Sequence, residues 1–196
     1  MLLHERLKNR RIILGSRSPR RRELLADCDI AFEVADSYEV EEIFPADLPA
    51  AEVAEYLSRL KADGYPLPLA EADILITADT VVINNGEILG KPSDRDHAIR
   101  MIASLGGKTH TVVTGVTIRT VERSVSFSSS SEVTFRALDT DEIEYYVDTY
   151  HPFDKAGAYG IQEWIGCTAI ESISGSFYNV MGLPVAALYK QLKQFV

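Results

Sequence analysis

The sequence has few of the residues that build disulfide frameworks or metal clusters. It contains two cysteines and four histidines among 196 residues, and they lack the spacing of a zinc ligand set. There is no GxGxxG, HExxH or CxxC motif, which excludes dinucleotide-binding, zincin and zinc-ribbon proteins. The segment GEILGKP is not a Walker loop, because three residues rather than four separate its glycines.

Positive charge and long apolar runs are also scarce. The chain has 20 Lys and Arg against 29 Asp and Glu, a net charge of −9, which disfavours a nucleic-acid partner. No apolar run reaches the length of about 20 residues that a membrane span needs. The first residues, MLLHERLKNRR, lack the long apolar segment that is typical of a signal peptide. We therefore expect a single cytoplasmic domain over residues 1–196, with no nucleic-acid or membrane partner.

One basic cluster stands out in this acidic chain. The segment SRSPRRRELL places Arg20, Arg21 and Arg22 in the first turn of a predicted helix, with Ser18 as its N-cap. Cations are disfavoured there, because a helix N-terminus carries partial positive charge. The arrangement is explained if Arg20 and Arg21, which directly follow a buried strand, bind an anion such as phosphate.

Strand and helix patterns alternate along the rest of the chain. A strand at the centre of a sheet is predicted for ADILITADTVVI, a tight hairpin for NNGE and a short strand for AFEVAD. An amphipathic helix is predicted for PAAEVAEYLSRLKAD, and another helix is predicted to begin after an N-cap at Ser93. The pattern indicates a mixed α/β (α+β) domain.

Several polar residues fall at the ends of apolar segments, where α/β folds place their sites. Asp79 interrupts an apolar strand, and a buried carboxylate is costly unless it is paired or bound to a metal. Lys91 follows the predicted hairpin, and Lys155 precedes the segment GAYGIQ. Together with the arginines, these residues suit a polyphosphate and a divalent cation. The alternatives are a structural turn carboxylate at Asp79, a surface lysine at Lys91 and a loop-backbone partner at Gln162.

Five motifs then occur in order between Ile12 and Leu188: SRSPRRRELL, TADTVV, GKP, DKAGAYGIQ and GSFYNVMGLP. Together they resemble the Maf family of nucleoside triphosphate pyrophosphatases, named for its link to septum formation. The resemblance implies a fold like that of inosine triphosphate pyrophosphatases, an elongated mixed β-sheet flanked by helices around a central cleft. It also implies hydrolysis of a nucleoside triphosphate to the monophosphate and pyrophosphate, with Mg²⁺ or Mn²⁺ as cofactor, and a possible homodimer.

The resemblance assigns roles to residues in the matching motifs. It implies that Asp79 is the catalytic carboxylate, acting as base or metal ligand, and that Lys91 of GKP neutralises charge on the phosphates. It also implies that Ser16, Arg20 and Arg21 bind the triphosphate.

Other matches are less exact. The segment VEE replaces the family's VDE, which makes Glu42 the expected metal or water partner and leaves Glu41 as the alternative. Lys61 of LSRLKAD takes the place of the family's lysine, and TADT replaces GADT. Lys155 of DKAGAYGIQ is a further expected substrate-binding residue.

The base preference rests on Arg20, Thr80 and Gln162, at which the chain is similar to family members that prefer dTTP and UTP. A glutamine amide complements the adjacent carbonyl and N–H of uracil or thymine. The open alternatives are another base, such as 7-methylguanosine triphosphate, or a nucleotide-binding regulator of septum formation with little turnover.

Overall fold

The computed structural model describes residues 1–196 and contains eight α-helices and seven strands. The helices are α1 (Leu3–Arg6), α2 (Pro19–Ala26), α3 (Ala50–Asp63), α4 (Arg95–Leu105), α5 (Thr140–Tyr150), α6 (Trp164–Ala169), α7 (Phe177–Met181) and α8 (Val185–Leu192). Residues Leu7–Asn9 and Ala156–Ala158 form single 3-10 turns.

All seven strands belong to one mixed sheet. They are β1 (Arg11–Leu14), β2 (Glu33–Val34), β3 (Asp73–Asn84), β4 (Glu87–Leu89), β5 (Thr109–Arg119), β6 (Ser124–Phe135) and β7 (Ile170–Ser174). The strand order is β2-β1-β3-β5-β6-β7, with β4 paired to β3. Strand β1 runs parallel to β2 and β3, whereas β4 and β7 pair antiparallel with β3 and β6. The predicted mixed α/β class is confirmed.

The local predictions are correct where one signal dominates. The NNGE hairpin joins β3 and β4, with Asn85 and Gly86 at positive φ, as a tight turn of this kind requires. The predicted N-cap at Ser93 is wrong, because the Asp94 carboxylate accepts the His97 N–H at 2.8 Å. Ser18 occupies the N-cap position of α2, but its side chain makes no capping hydrogen bond.

The first of two compact units comprises Met1–Asp79, Thr114–Ser129 and Gly182–Val196. Within it, α3 packs against β5 so closely that a Cβ at Gly115 would lie 2.3 Å from the Ala54 carbonyl. The buried Ser58 hydroxyl of α3 also bonds the Thr117 hydroxyl of β5 at 2.8 Å. These contacts fix the helix that carries Lys61.

The second unit comprises Thr80–Val113 and Ser130–Met181. Its core contains Phe135, Tyr146 and Tyr159, packed with aliphatic residues of α4, α5 and α6. His110 is buried beside them, and its Nε2 lies 2.8 Å from the Tyr159 hydroxyl. Burial lowers the pKa of His110 to about 4, so this imidazole is neutral at pH 7.

Candidate active site

The turn from β1 into α2 positions the phosphate-binding candidates of the first unit. The Arg21 side chain donates from Nε to the Gly182 carbonyl at 2.8 Å and from Nη1 to the Ala78 carbonyl at 2.8 Å. Its Nη1 also lies 3.2 Å from Ser16 Oγ. A Cβ at Gly15 would lie 2.7 Å from the Tyr38 hydroxyl and 2.9 Å from Thr77 Cγ2, so a larger residue there would displace these side chains. Arg21 is therefore held by the middle of β3 and by the segment before α8.

Opposite charges surround this guanidinium. Burial lowers the pKa of Arg21, and the neighbouring Arg20 acts in the same direction, whereas Asp79 and Glu42 raise it. Arg21 thus lies within electrostatic range of a second arginine and of two carboxylates. Mixed charge of this kind suits a ligand that is anionic and brings a cation with it.

Lys61 connects the two carboxylates. Its ammonium group lies 2.9 Å from Glu42 Oε1 and also bonds Asp79 Oδ1. Asp79 is buried at 8% exposure, Lys61 is largely buried, and Glu42 is half exposed. The Tyr38 hydroxyl donates to the Lys61 carbonyl at 3.0 Å and so fixes the end of α3. Resemblance alone suggested Glu42 and Lys61, and the structure brings both of them to Asp79.

The donor set fits a divalent cation that binds together with phosphate. No group of three His, Cys, Asp or Glu side chains forms a complete metal site. Asp79 and Glu42 nevertheless contact the same cationic group, and carboxylate oxygens are the donors that Mg²⁺ and Mn²⁺ prefer. Mg²⁺ is commonly bound by one or two carboxylates plus substrate phosphates. Two carboxylates are therefore sufficient for this mode of binding.

The second unit carries the remaining predicted residues. Thr80 is half-buried on β3, whereas Lys91 and Gln162 are exposed. The Gly157 N–H donates to the Gly90 carbonyl at 3.1 Å. This hydrogen bond joins the turn that carries Lys91 to the 154–163 loop, the segment from Asp154 to Glu163.

Lys155 is buried at 7% exposure and bound by acidic residues. Its ammonium group lies 2.8 Å from Asp154 Oδ1 and 3.1 Å from Glu163 Oε1. The other Glu163 oxygen accepts the Tyr146 hydroxyl, and the Tyr146 oxygen accepts the Gly160 N–H at 3.0 Å. Burial and the Glu163 carboxylate raise the pKa of Tyr146, so its hydroxyl remains a donor.

Sequence reasoning missed Glu163 and Tyr146. Glu163 directly follows Gln162 and is the N-cap residue of α6, so its place in the sequence could have indicated it as a candidate. Tyr146 had no such signal, because its contact with Glu163 spans 17 residues of chain.

The 154–163 loop adopts an unusual backbone. Gly157 and Ala158 both have positive φ, of 68° and 59°. A side chain at Gly157 would lie 3.0 Å from Val82, so glycine is required there for space as well as for conformation. An alanine in the left-handed region costs about 1 kcal/mol and persists only where its surroundings hold it. This loop is therefore constrained by the contacts around it.

Comparison with known proteins gives consistent matches over the chain. The model of the Maf-like protein family matches residues 11–195. A dTTP/UTP pyrophosphatase from Bacteroides thetaiotaomicron is 52% identical, over 93% of this chain and 95% of the relative. One from Porphyromonas gingivalis is 53% identical over 97% of each chain. Among solved structures, a HAM1 protein from Coxiella burnetii aligns over 94% of this chain and 99% of its own, with 15% identity and a TM-score of 0.46. None of the helices has the length and apolar character to cross a bilayer.

Proposed function

The chain belongs to the Maf-like family, and on that premise we propose that it hydrolyses dTTP and UTP to the nucleoside monophosphate and pyrophosphate. The observation that carries the proposal is the Lys61 ammonium group between the Asp79 and Glu42 carboxylates. A protein that only bound nucleotide would have less need of a buried carboxylate. The relatives named dTTP/UTP pyrophosphatase support the same reaction and its pyrimidine preference. A role in removing unwanted nucleotides from the cellular pool follows from this activity.

The phosphate and metal roles fall to residues of the first unit. Arg20, Arg21 and Ser16 bind phosphate oxygens, since guanidinium groups give the strongest hydrogen bonds to phosphate. Asp79 and Glu42 hold Mg²⁺ or Mn²⁺. When bound, the divalent cation polarises a phosphoryl oxygen and lowers the pKa of water.

In this proposal Asp79 also acts as the general base. Its carboxylate accepts the proton of the water molecule that attacks phosphorus. The bond between the α- and β-phosphates then breaks, and pyrophosphate leaves. The Lys61 ammonium group bonds one oxygen of Asp79 and so orients its carboxylate.

The proposal gives further roles to Lys91 and Gln162. Lys91 neutralises charge that develops on the phosphates in the transition state. Gln162 offers its amide to the uracil or thymine ring, with Arg20 and Thr80 as the other residues of base preference. Lys155, expected to bind substrate, is held by Asp154 and Glu163, which favours a role in shaping the loop.

The protein is proposed to be a cytoplasmic homodimer. Each subunit forms one domain over residues 1–196 and takes a free nucleotide as its small-molecule partner. The two cysteines, Cys28 and Cys167, are both free thiols, as a reducing compartment permits. Analytical ultracentrifugation of the full chain tests the dimer, for which a single species of monomer mass is the contrary result.

The reaction is tested by pyrophosphate release from a panel of nucleoside triphosphates with Mg²⁺ or Mn²⁺. We expect dTTP and UTP to be hydrolysed well above the purine nucleotides, and equal turnover of all bases would contradict the pyrimidine preference. Asp79→Asn should lower kcat by at least about a hundredfold, the usual contribution of a catalytic base, while nucleotide binding by calorimetry persists. Unchanged kcat in this variant would remove Asp79 from the mechanism.

A further inference from the structure

The 154–163 loop is held by a network of three side chains, two of which have no role in the proposed reaction. Its members are Tyr146 on α5, Lys155 at the start of the loop and Glu163 at the end. Glu163 binds the Lys155 ammonium with one carboxylate oxygen and the Tyr146 hydroxyl with the other. The Tyr146 oxygen accepts the backbone N–H of Gly160 in the middle of the loop. One network therefore fixes the loop at three points.

The burial and pairing of these side chains favour a role in holding the loop in one conformation. Lys155 is 7% exposed and Tyr146 is fully buried, so neither side chain is available to solvent. A buried ion pair contributes little net stability, and its better-attested use is to select one conformation over others. Here the selected conformation includes two consecutive residues, Gly157 and Ala158, in the left-handed region.

Gln162 lies in the sequence between two residues that the network holds, Gly160 and Glu163. Its side chain is exposed, and its backbone is fixed by its neighbour: Glu163 donates its N–H to the Gly160 carbonyl at 3.0 Å and anchors its carboxylate on Tyr146 and Lys155. A Cβ at Gly166 would lie only 1.7 Å from the Ile161 carbonyl, so α6 also packs against the backbone on the other side of Gln162.

We propose that Tyr146, Glu163 and Lys155 are positioning residues that fix the backbone at Gln162 and thereby let its amide distinguish uracil from cytosine. The inference rests on the proposed function. Uracil and cytosine have the same ring size, but the hydrogen-bond donor and acceptor at ring positions 3 and 4 are exchanged between them. A glutamine amide fixed in one orientation matches one of the two rings, whereas a mobile amide rotates to match either.

The test compares kcat and KM for UTP and CTP in the full-length wild type and in Tyr146→Phe, Glu163→Gln and Tyr150→Phe. Tyr146→Phe removes the hydroxyl and keeps the ring. Tyr150→Phe is the matched control, because Tyr150 stacks on Tyr146 from the same helix but makes none of the bonds of the network. Thermal denaturation of each variant monitors folding.

In Tyr146→Phe and Glu163→Gln we expect the UTP-to-CTP ratio of kcat/KM to fall by about tenfold, the value of one lost hydrogen bond. The change should appear mainly in the KM for UTP, with kcat kept within about threefold, because no group that touches the phosphates is altered. Tyr150→Phe should keep the wild-type ratio.

Two results would overturn the inference. One is an unchanged ratio in folded Tyr146→Phe, and the other is an equal loss of kcat for UTP and CTP, which indicates general damage to the fold. Either result leaves the proposed function intact when the wild type still prefers UTP. A wild type that hydrolyses neither nucleotide overturns the proposed function and this inference together.

Discussion

At the scale of single residues, the ion pair of Lys61 distinguishes Glu42, the expected metal or water partner, from its alternative Glu41. Glu42 contacts the Lys61 ammonium at 2.9 Å, whereas the Glu41 contact that orders this turn is made by its backbone carbonyl, which accepts the Ile43 N–H. Only Glu42 is thus brought to Asp79. The choice depends on how the loop folds back to α3, which no local pattern of residues encodes.

Substitution of these neighbours gives a direct comparison. Glu42→Gln should lower kcat/KM by at least about tenfold, because a neutral amide binds a divalent cation and Lys61 more weakly than a carboxylate does. Glu41→Gln should stay within about threefold of the wild type, and it serves as the matched control. Steady-state pyrophosphate release at several Mg²⁺ concentrations provides the measurement, and an equal loss in both variants would argue against Glu42 as a metal partner.

At the scale of elements, close approach between a helix and the sheet positions one side of the site. Gly115 of β5 lies under Ala54 of α3, and the same helix carries Lys61 in its last turn. Gly115→Ala should reduce the free energy of unfolding by about 1–3 kcal/mol, as overpacking of a core does, and should lower activity by displacing Lys61.

Urea denaturation of Gly115→Ala measures that loss. Gly90→Ala is the control, because a Cβ there meets no atom within 4 Å and the backbone is not in the left-handed region. Equal stability of the two variants would show that α3 can move away from β5 at little cost.

The elements that sequence reasoning found are those in which the local pattern and the tertiary environment agree. The amphipathic spacing in α3 and the NNGE turn have both properties. The predicted strand AFEVAD shrinks to the two residues of β2, because β2 lies at the edge of the sheet with both side chains exposed. In the candidate site, the sequence indicated Arg21 and Asp79 because a cation in the first turn of a helix and a carboxylate within an apolar strand are both unfavourable. The Tyr146–Glu163 contact was not visible, because it depends on the packing of α5 against a distant loop.

At the scale of the whole molecule, buried titratable groups couple stability to pH. His110 is neutral in the folded state, with a pKa of about 4, and has an ordinary value of 6.5. Below pH 6.5 the unfolded chain therefore binds more protons than the folded chain, and the free energy of unfolding falls as the pH falls. Between pH 6.5 and 4 this group should remove about 3 kcal/mol of stability.

Denaturation at several pH values checks this decrease, which His110→Gln is expected to flatten. A second decrease should follow at lower pH. Arg136 lowers the pKa of Glu142 from 4.5 to about 2, and Arg11 lowers that of Asp73, so protonation of these carboxylates removes their contribution to stability as the pH falls from about 4.5 toward 2. A flat profile from pH 7 to 4 would contradict the buried neutral imidazole.

The first unit is assembled from segments that are far apart in the sequence. Gly182–Val196 belongs to it, and Arg21 donates to the carbonyl of Gly182. Every residue given a role with phosphate, metal or base precedes Gly182. A chain cleaved after Met181 would therefore keep all of those residues and lose one of the acceptors that hold Arg21, so a segment without any reactive group still contributes to the shape of the site.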